Sequence, residues 1–143
     1  MRRLIVSVLA LAILALPSAV AAGGRPFVTS LSGANERPNP ADPDGSGTAW
    51  VTINSGQGEV CFAIFVEDIA LPAIGAHIHV GDATISGPVV VGLAPPDATG
   101  SSDGCVSADK ELLKTIIQEP WNYYINVHST EYPGGAVRGQ LSR

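Results

Sequence analysis

Apolar and polar residues alternate along much of the chain, and this alternation predicts a mainly β protein. Residues 47–53 alternate and are rich in β-branched and aromatic side chains, whereas residues 59–66 form a nearly continuous apolar run. Because a Gly-containing turn separates these two runs, we expect them to form a β-hairpin. Five further short strands are predicted at residues 27–31 (at a sheet edge), 76–80, 88–93, 121–129 and 136–141.

One segment, residues 107–118, has helical instead of strand periodicity. Ser107 can cap its start and Pro120 ends it. Its apolar residues recur at helical spacing: Leu112, Leu113, Ile116 and Ile117. Seven short strands with one short helix near 107–118 are typical of a Greek-key β-sandwich or barrel.

The segment between the first two predicted strands is rich in Gly, Pro, Asn and Asp, and it predicts a long irregular loop. Its acidic residues are Glu36, Asp42 and Asp44. They lack the twelve-residue spacing of a calcium-binding loop with its terminal Glu. We therefore interpret this segment as a solvated acidic loop.

The N-terminal residues have the pattern of a secretory signal peptide. Arg2 and Arg3 precede an apolar run over residues 4–16, and Ala19 and Ala21 follow at cleavage-site spacing. The run is too short for a spanning helix, which needs about 20 residues, and no Cys follows it to carry a lipid. We expect cleavage of residues 1–22, leaving one domain at residues 23–143 that is secreted or periplasmic and has no stable membrane anchor.

The net charge argues against a nucleic-acid-binding protein, and the cysteine content indicates a disulfide. The formal net charge is −5, and removal of Arg2 and Arg3 leaves 6 basic against 13 acidic side chains. Such an acidic domain does not suit a phosphate backbone, so nucleic acid is excluded as a partner. The only two cysteines are Cys61 and Cys105, and in an exported protein this pair predicts a disulfide.

Three histidines are the main candidates for chemistry. His77 and His79 are alternate residues of one predicted strand, so they share a face with Cβ atoms about 7 Å apart. His128 lies on the polar face of a later strand, together with Tyr124 and Asn126. If the two strands are neighbours, the three imidazoles could bind one copper or zinc ion. The alternative is that they are structural and donate to backbone carbonyls.

Catalytic motifs are missing from the sequence. There is no Gly-x-Ser-x-Gly motif and no Gly-rich phosphate loop ahead of a helix. Glu67 and Asp68 are adjacent and point apart in a strand, which argues against a glycosidase-like carboxylate pair. The sequence therefore does not predict an enzyme. Arg138, the one basic residue of the last predicted strand, is interpreted as a salt-bridge residue or as a contact for an anion.

Four motifs resemble the CHRD domain, which is named for its repeats in chordin and also occurs singly in exported bacterial proteins. They are residues 31–36 (LSGANE), 75–81 (GAHIHVG), 124–129 (YINVHS) and 133–141 (PGGAVRGQL), and the resemblance extends from Phe27 to Leu141. It implies an immunoglobulin-like or superoxide-dismutase-like sandwich, and it implies no established catalytic activity.

A second resemblance concerns the His77-Ile78-His79 segment, which is similar to the copper-binding His-x-His strand of Cu,Zn superoxide dismutase. Residues 135–138 are similar to the late strand of that enzyme that carries an anion-guiding arginine. The dismutase uses more histidines than the three present here. Because the chain has too few histidines, a dinuclear dismutase site is excluded, and a mononuclear copper site stays open.

Two hypotheses follow. The favoured one is an extracytoplasmic binding or interaction module that contacts an extracellular protein or surface partner and needs no cofactor. The alternative is a mononuclear copper- or zinc-binding protein with ligands His77, His79 and His128 and weak redox activity. The imidazole nitrogens that bind one ion must lie about 3–3.5 Å from one another, so this distance distinguishes the two hypotheses.

Overall fold

The computed structural model describes residues 23–142, so the predicted signal peptide at residues 1–22 lies outside the described residues and stays a prediction. Eight strands are present: β1 (Arg25–Ser32), β2 (Ser46–Asn54), β3 (Glu59–Glu67), β4 (Gly75–Val80), β5 (Val89–Leu93), β6 (Ser101–Ser107), β7 (Tyr123–His128) and β8 (Val137–Gln140). Within residues 23–142 there is one α-helix, α1 (Lys110–Gln118), which lies between β6 and β7. It is too short to cross a membrane, and no other described helix is long and apolar enough to do so.

The strands form one antiparallel sheet in the order β5-β4-β7-β8-β1-β2-β3-β6, which curls into a nearly closed barrel or sandwich. The predicted fold class is therefore confirmed. The first strand does not lie at a sheet edge as predicted, because β1 pairs with both β2 and β8. The edges are β5 and β6.

The inward face of the sheet forms the apolar core. Along β3 the buried residues alternate with exposed or half-buried ones, as expected for a strand with one face on the core. Helix α1 adds Leu113 and Ile116, both fully buried, to the same core. Ile78 of β4 and Ile125 of β7 lie opposite each other in this core, so the other faces of these strands point away from it.

The helix begins later than predicted. Ser107 is the last residue of β6, where it pairs with Glu59, and is therefore not the helix cap. Asp109 takes that position, and its carboxylate accepts hydrogen bonds from the backbone N–H groups of Glu111 (3.0 Å) and Leu112 (2.9 Å). The helix ends at Gln118, just before Pro120, as the sequence predicts.

Strand β6 is the one described strand that the alternation of apolar and polar residues does not predict. Its residues are mostly Ser, Asp and Gly, with no apolar alternation to mark a strand. It is held by pairing with β3 and by the disulfide between Cys61 and Cys105, which are directly opposite in the register. The predicted disulfide is thus present, and it joins the edge strand to the sheet.

Two loops fold over the outward face of β4, β7 and β8. Residues 33–45 contact β8 through Asn35, whose side-chain amide donates to the Arg138 carbonyl (3.2 Å). Residues 81–88 contact it through Asp82, whose carbonyl accepts from Arg138. Glu36 and Asp42 are buried beneath this cover, with only 3% and 4% of their surface exposed. The interpretation of residues 33–45 as a solvated acidic loop is therefore wrong for these two residues.

Candidate metal centre

Strands β4 and β7 bring the three histidines to one face of the sheet. The strands pair so that His79 lies opposite Tyr124 and His128 lies opposite Gly75. Directly opposite residues share a face, so His77, His79 and His128 lie together on the side away from the core. The alternation of the two segments predicted this arrangement.

The imidazole rings are in contact with one another. Nδ1 of His77 lies 3.1 Å from Nε2 of His128. The ring centroid of His77 is 5.5 Å from that of His79 and 5.0 Å from that of His128. One nitrogen from each of the three rings lies within 4.8 Å of the other two. The pair His77 and His128 thus meets the distance of about 3–3.5 Å expected of ligands, whereas for His79 only the wider 4.8 Å bound holds.

Backbone carbonyls orient two of the rings. Nδ1 of His79 donates to the Gly87 carbonyl at 2.8 Å, and Nδ1 of His128 donates to the Pro133 carbonyl at 2.9 Å. A neutral imidazole that donates at Nδ1 has its lone pair on Nε2. The two carbonyls therefore present the Nε2 atoms of both rings as acceptors or ligands.

The Nε2 atom of His79 has no hydrogen-bond partner within residues 23–142, although the residue is only 7% exposed. A buried acceptor without a partner loses the free energy of its hydration, about 1–3 kcal/mol. Most buried polar atoms in folded proteins avoid this loss. This nitrogen is therefore the atom of the cluster that most needs a ligand.

Burial also favours the neutral form of two of the rings, His77 and His128. It lowers the pKa of His77, and the neighbouring His128 and His79 lower it further. Burial likewise lowers the pKa of His128, partly offset by the Pro133 carbonyl. Because metals bind the neutral imidazole, these shifts leave lone pairs available near neutral pH.

Tyr124 and Arg138 form a stack with the His79 ring. The Tyr124 ring lies parallel to the His79 ring, with centroids 4.8 Å apart and an interplanar angle of 8°. On the other face of Tyr124 lies the guanidinium of Arg138, 3.4 Å from the ring centroid. The Tyr124 hydroxyl accepts from the Gly87 backbone N–H at 3.1 Å. The stack and this hydrogen bond fix both the ring of His79 and the carbonyl that orients it.

Gly75 provides room for the other two rings. A Cβ atom at this position would lie 3.0 Å from Cε1 of His77 and 3.4 Å from Cδ2 of His128. Any larger residue would therefore push these rings from their positions.

A buried polar pair lies beside the histidines. Asn126 is the cross-strand neighbour of His77, and its side chain forms a hydrogen bond with the Glu36 carboxyl group. Desolvation raises the pKa of Glu36 to about 7, against the opposing effects of Arg138, Asn126 and Arg37. Oε1 of Glu36 and Oδ1 of Asn126 have no partner among the described residues.

Arg138 is held by neutral groups. It donates to the carbonyls of Ile85 (2.8 Å) and Asp82 (2.6 Å) and to Oε1 of Gln140 (3.2 Å). The one ion pair found in residues 23–142 joins Lys114 to Glu111 on the helix surface. Arg138 is therefore a buried cation with no carboxylate in contact among the described residues. Its charge thus remains available to an anion, as one of the two predicted roles requires.

Sequence reasoning identified the three histidines but missed their supports. Tyr124 and Asn126 were placed on the correct face by alternation, without a role at the site. Gly87 and Pro133 act through their carbonyls, and a backbone carbonyl leaves no signal in side-chain identity. The only signal was indirect, since Pro and Gly residues cluster just after the strands that carry the histidines.

A family model described as the CHRD domain matches residues 27–141, a range that includes all three histidines and both cysteines. No curated protein and no solved structure matches the chain. The disulfide and the family match fit a protein that works outside the cytoplasm.

Proposed function

The chain belongs to the CHRD domain family, and we propose that this member is an extracytoplasmic module that binds one copper or zinc ion through His77, His79 and His128. The family suggests an extracellular interaction module and assigns no catalytic activity. One observation carries the metal proposal: Nε2 of His79 is buried without a partner, in a cluster where one nitrogen from each of the three imidazoles lies within 4.8 Å of the others.

A metal ion would take the place of the proton in the hydrogen bond between His77 and His128, and that proton would move to Nε2 of His77, so that both rings stay neutral. Since His128 donates at Nδ1 to Pro133, its Nε2 accepts a hydrogen bond from Nδ1–H of His77. An ion bound to both nitrogens at about 2.0–2.1 Å would see their 3.1 Å separation at an angle of about 100°. That angle lies between the tetrahedral and square-planar values, so the pair suits either zinc or copper.

Binding would require a small movement, and His77 is the ring best able to make it. His79 and His128 are each held by a backbone carbonyl, whereas the hydrogen bond of His77 goes to another imidazole. The nitrogens of the three rings lie within 4.8 Å of one another, whereas two ligands on one ion lie at most roughly 4.2 Å apart, so the required shift is below about 1 Å. A movement of that size is well within side-chain rotation.

The ligand set selects the class of metal. Three neutral imidazoles suit zinc and copper, whereas magnesium and calcium prefer oxygen ligands. Cys61 and Cys105 are bonded to each other and supply no thiolate. With three protein ligands, a fourth position would stay open to water or to a small molecule.

The test is a competition titration of the disulfide-intact protein with Zn(II) and with Cu(II) against a chromophoric chelator. Wild type should bind one ion, and His77→Ala, His79→Ala and His128→Ala should each weaken binding by more than the 10–100-fold typical of outer-shell changes. Glu59→Gln is the matched control, because Glu59 belongs to the other cluster of ligand-type side chains, beside the disulfide. No binding by wild type, or equal loss in the control, would refute the proposal.

A separate surface supports the interaction role that the family suggests. The outward face of β1, β2 and β3 exposes Val28 (55%), Trp50 (48%) and Phe65 (43%) on the same side of the sheet. Such a contiguous apolar patch is typical of a protein contact. A photo-crosslinking residue at position 50 should capture an extracellular partner in the producing cell, and one at Lys114 on the helix should not. Equal capture at both positions, or none, would contradict this role.

A further inference from the structure

A small pocket beside the metal centre is lined by two arginines. Its lining residues are Asn35, Arg37, Ala83, Arg138 and Gln140, and its volume is about 110 Å³. It lies where the two covering loops meet strand β8. None of the three histidines lines it.

The charge of Arg138 is not neutralised by a contact. The residue is 1% exposed, its hydrogen-bond partners are two carbonyl oxygens and an amide oxygen, and its guanidinium lies over the neutral Tyr124 ring. Folded proteins normally pair a buried cation with an anion. Here the burial is severe enough to lower the pKa of Arg138.

The nearby acidic groups compensate this charge only in part. Asp82 acts on Arg138 from a distance, but its carboxylate is exposed and accepts hydrogen bonds from the hydroxyl and backbone N–H of Thr84. Glu36 also acts on Arg138, and desolvation raises its pKa to about 7, so it carries only a partial charge at neutral pH.

Arg37 adds a second positive charge to the same pocket. One of its terminal nitrogens donates to the carbonyls of Ala34 (3.2 Å) and Glu36 (2.8 Å). A guanidinium has five N–H donors, so both arginines keep donors beyond those used in the hydrogen bonds above. The proximity of Arg37 further disfavours the charged form of Arg138. An anion between them would relieve this repulsion.

We propose that this pocket binds a small inorganic oxyanion, of the size of phosphate or sulfate, between Arg37 and Arg138. Guanidinium groups bind such anions through paired, charge-assisted hydrogen bonds. The volume of about 110 Å³ accommodates an anion with four oxygens. The side-chain amides of Asn35 and Gln140 complete a polar lining.

The test uses metal-free protein, so its outcome is independent of the metal proposal. Phosphate and sulfate are titrated in separate calorimetric experiments, with backbone amide shifts followed by NMR. We expect one saturable site and shifts concentrated at Asn35, Arg37 and Ala83. Arg37→Gln removes a charged donor from a half-buried loop residue and should weaken binding by roughly 10- to 100-fold.

Arg25→Gln is the matched control, since Arg25 is an exposed arginine on β1 outside the pocket. It should bind the anions as wild type does. Arg138→Lys provides a second variant, which keeps the charge but loses the planar donor fork, and it should also bind more weakly. Non-saturable binding, equal weakening in Arg25→Gln, or full affinity in Arg37→Gln would overturn the proposal.

Discussion

Replacing Glu36 by Gln tests how the covering loops bury a titratable group next to the three histidines. Glu36 is 3% exposed, and its carboxyl group lies against Gly135 and bonds to Asn126. Desolvation is the largest influence on it and raises its pKa from 4.5 to about 7. The glutamine has nearly the same shape and cannot ionise.

The contribution of Glu36 to the free energy of unfolding follows from the difference between its proton affinities in the folded and unfolded states. The folded protein holds the Glu36 proton more tightly, so this group contributes stability below pH 4.5 that is lost as the pH rises through about 7. At about 1.4 kcal/mol per pKa unit, the shift amounts to about 3 kcal/mol. Histidines with lowered pKa act in the opposite direction, because their contribution is lost as the pH falls below 6.5.

Comparing wild type with Glu36→Gln cancels the histidine contribution. The assay is urea unfolding of both metal-free proteins at several values from about pH 4 to pH 8, at constant ionic strength. The free energy of unfolding of wild type should fall relative to the variant by up to about 3 kcal/mol across this range. Parallel curves for the two proteins would refute the assignment of a buried, proton-binding Glu36.

Three further predictions concern stability. Asp109→Ala removes the helix cap and should lower the free energy of unfolding by about 1 kcal/mol in urea denaturation, whereas an unchanged midpoint would contradict the cap. Replacing Cys61 and Cys105 by Ala opens a loop with a sequence separation of 44 and should cost about 4 kcal/mol, measured in the same way; a loss below about 1 kcal/mol would contradict this. Gly135→Ala should lower the thermal midpoint strongly, because Gly135 has φ 132° and an added Cβ would overlap the Glu36 carboxylate; a wild-type midpoint would show that the loop is not so closely packed.

Much of the arrangement could be predicted from residue patterns. Strict alternation in β7 assigns His128 to the face opposite Ile125, because the side-chain period of a strand is two. Strand β6 escaped prediction because it is polar and depends on pairing with β3, more than 30 residues earlier in sequence, and on the disulfide. Patterns within a segment carry no information on such a distant partner.

The surroundings of the histidines were less predictable for a related reason. The orienting carbonyls belong to Gly87 and Pro133, and their positions depend on how two loops return to the sheet. The burial of Glu36 likewise results from residues 33–45 folding onto β7 and β8. A Pro-rich acidic segment resembles a solvated loop until its tertiary contacts are known.

X-ray absorption spectroscopy of the zinc-loaded protein tests the central claim most directly, because it counts imidazole ligands. We expect three imidazole nitrogens at about 2.0–2.1 Å from the ion in wild type and two in His79→Ala. Scattering from fewer than three imidazoles in wild type, or a spectrum unchanged by His79→Ala, would contradict a three-histidine metal centre.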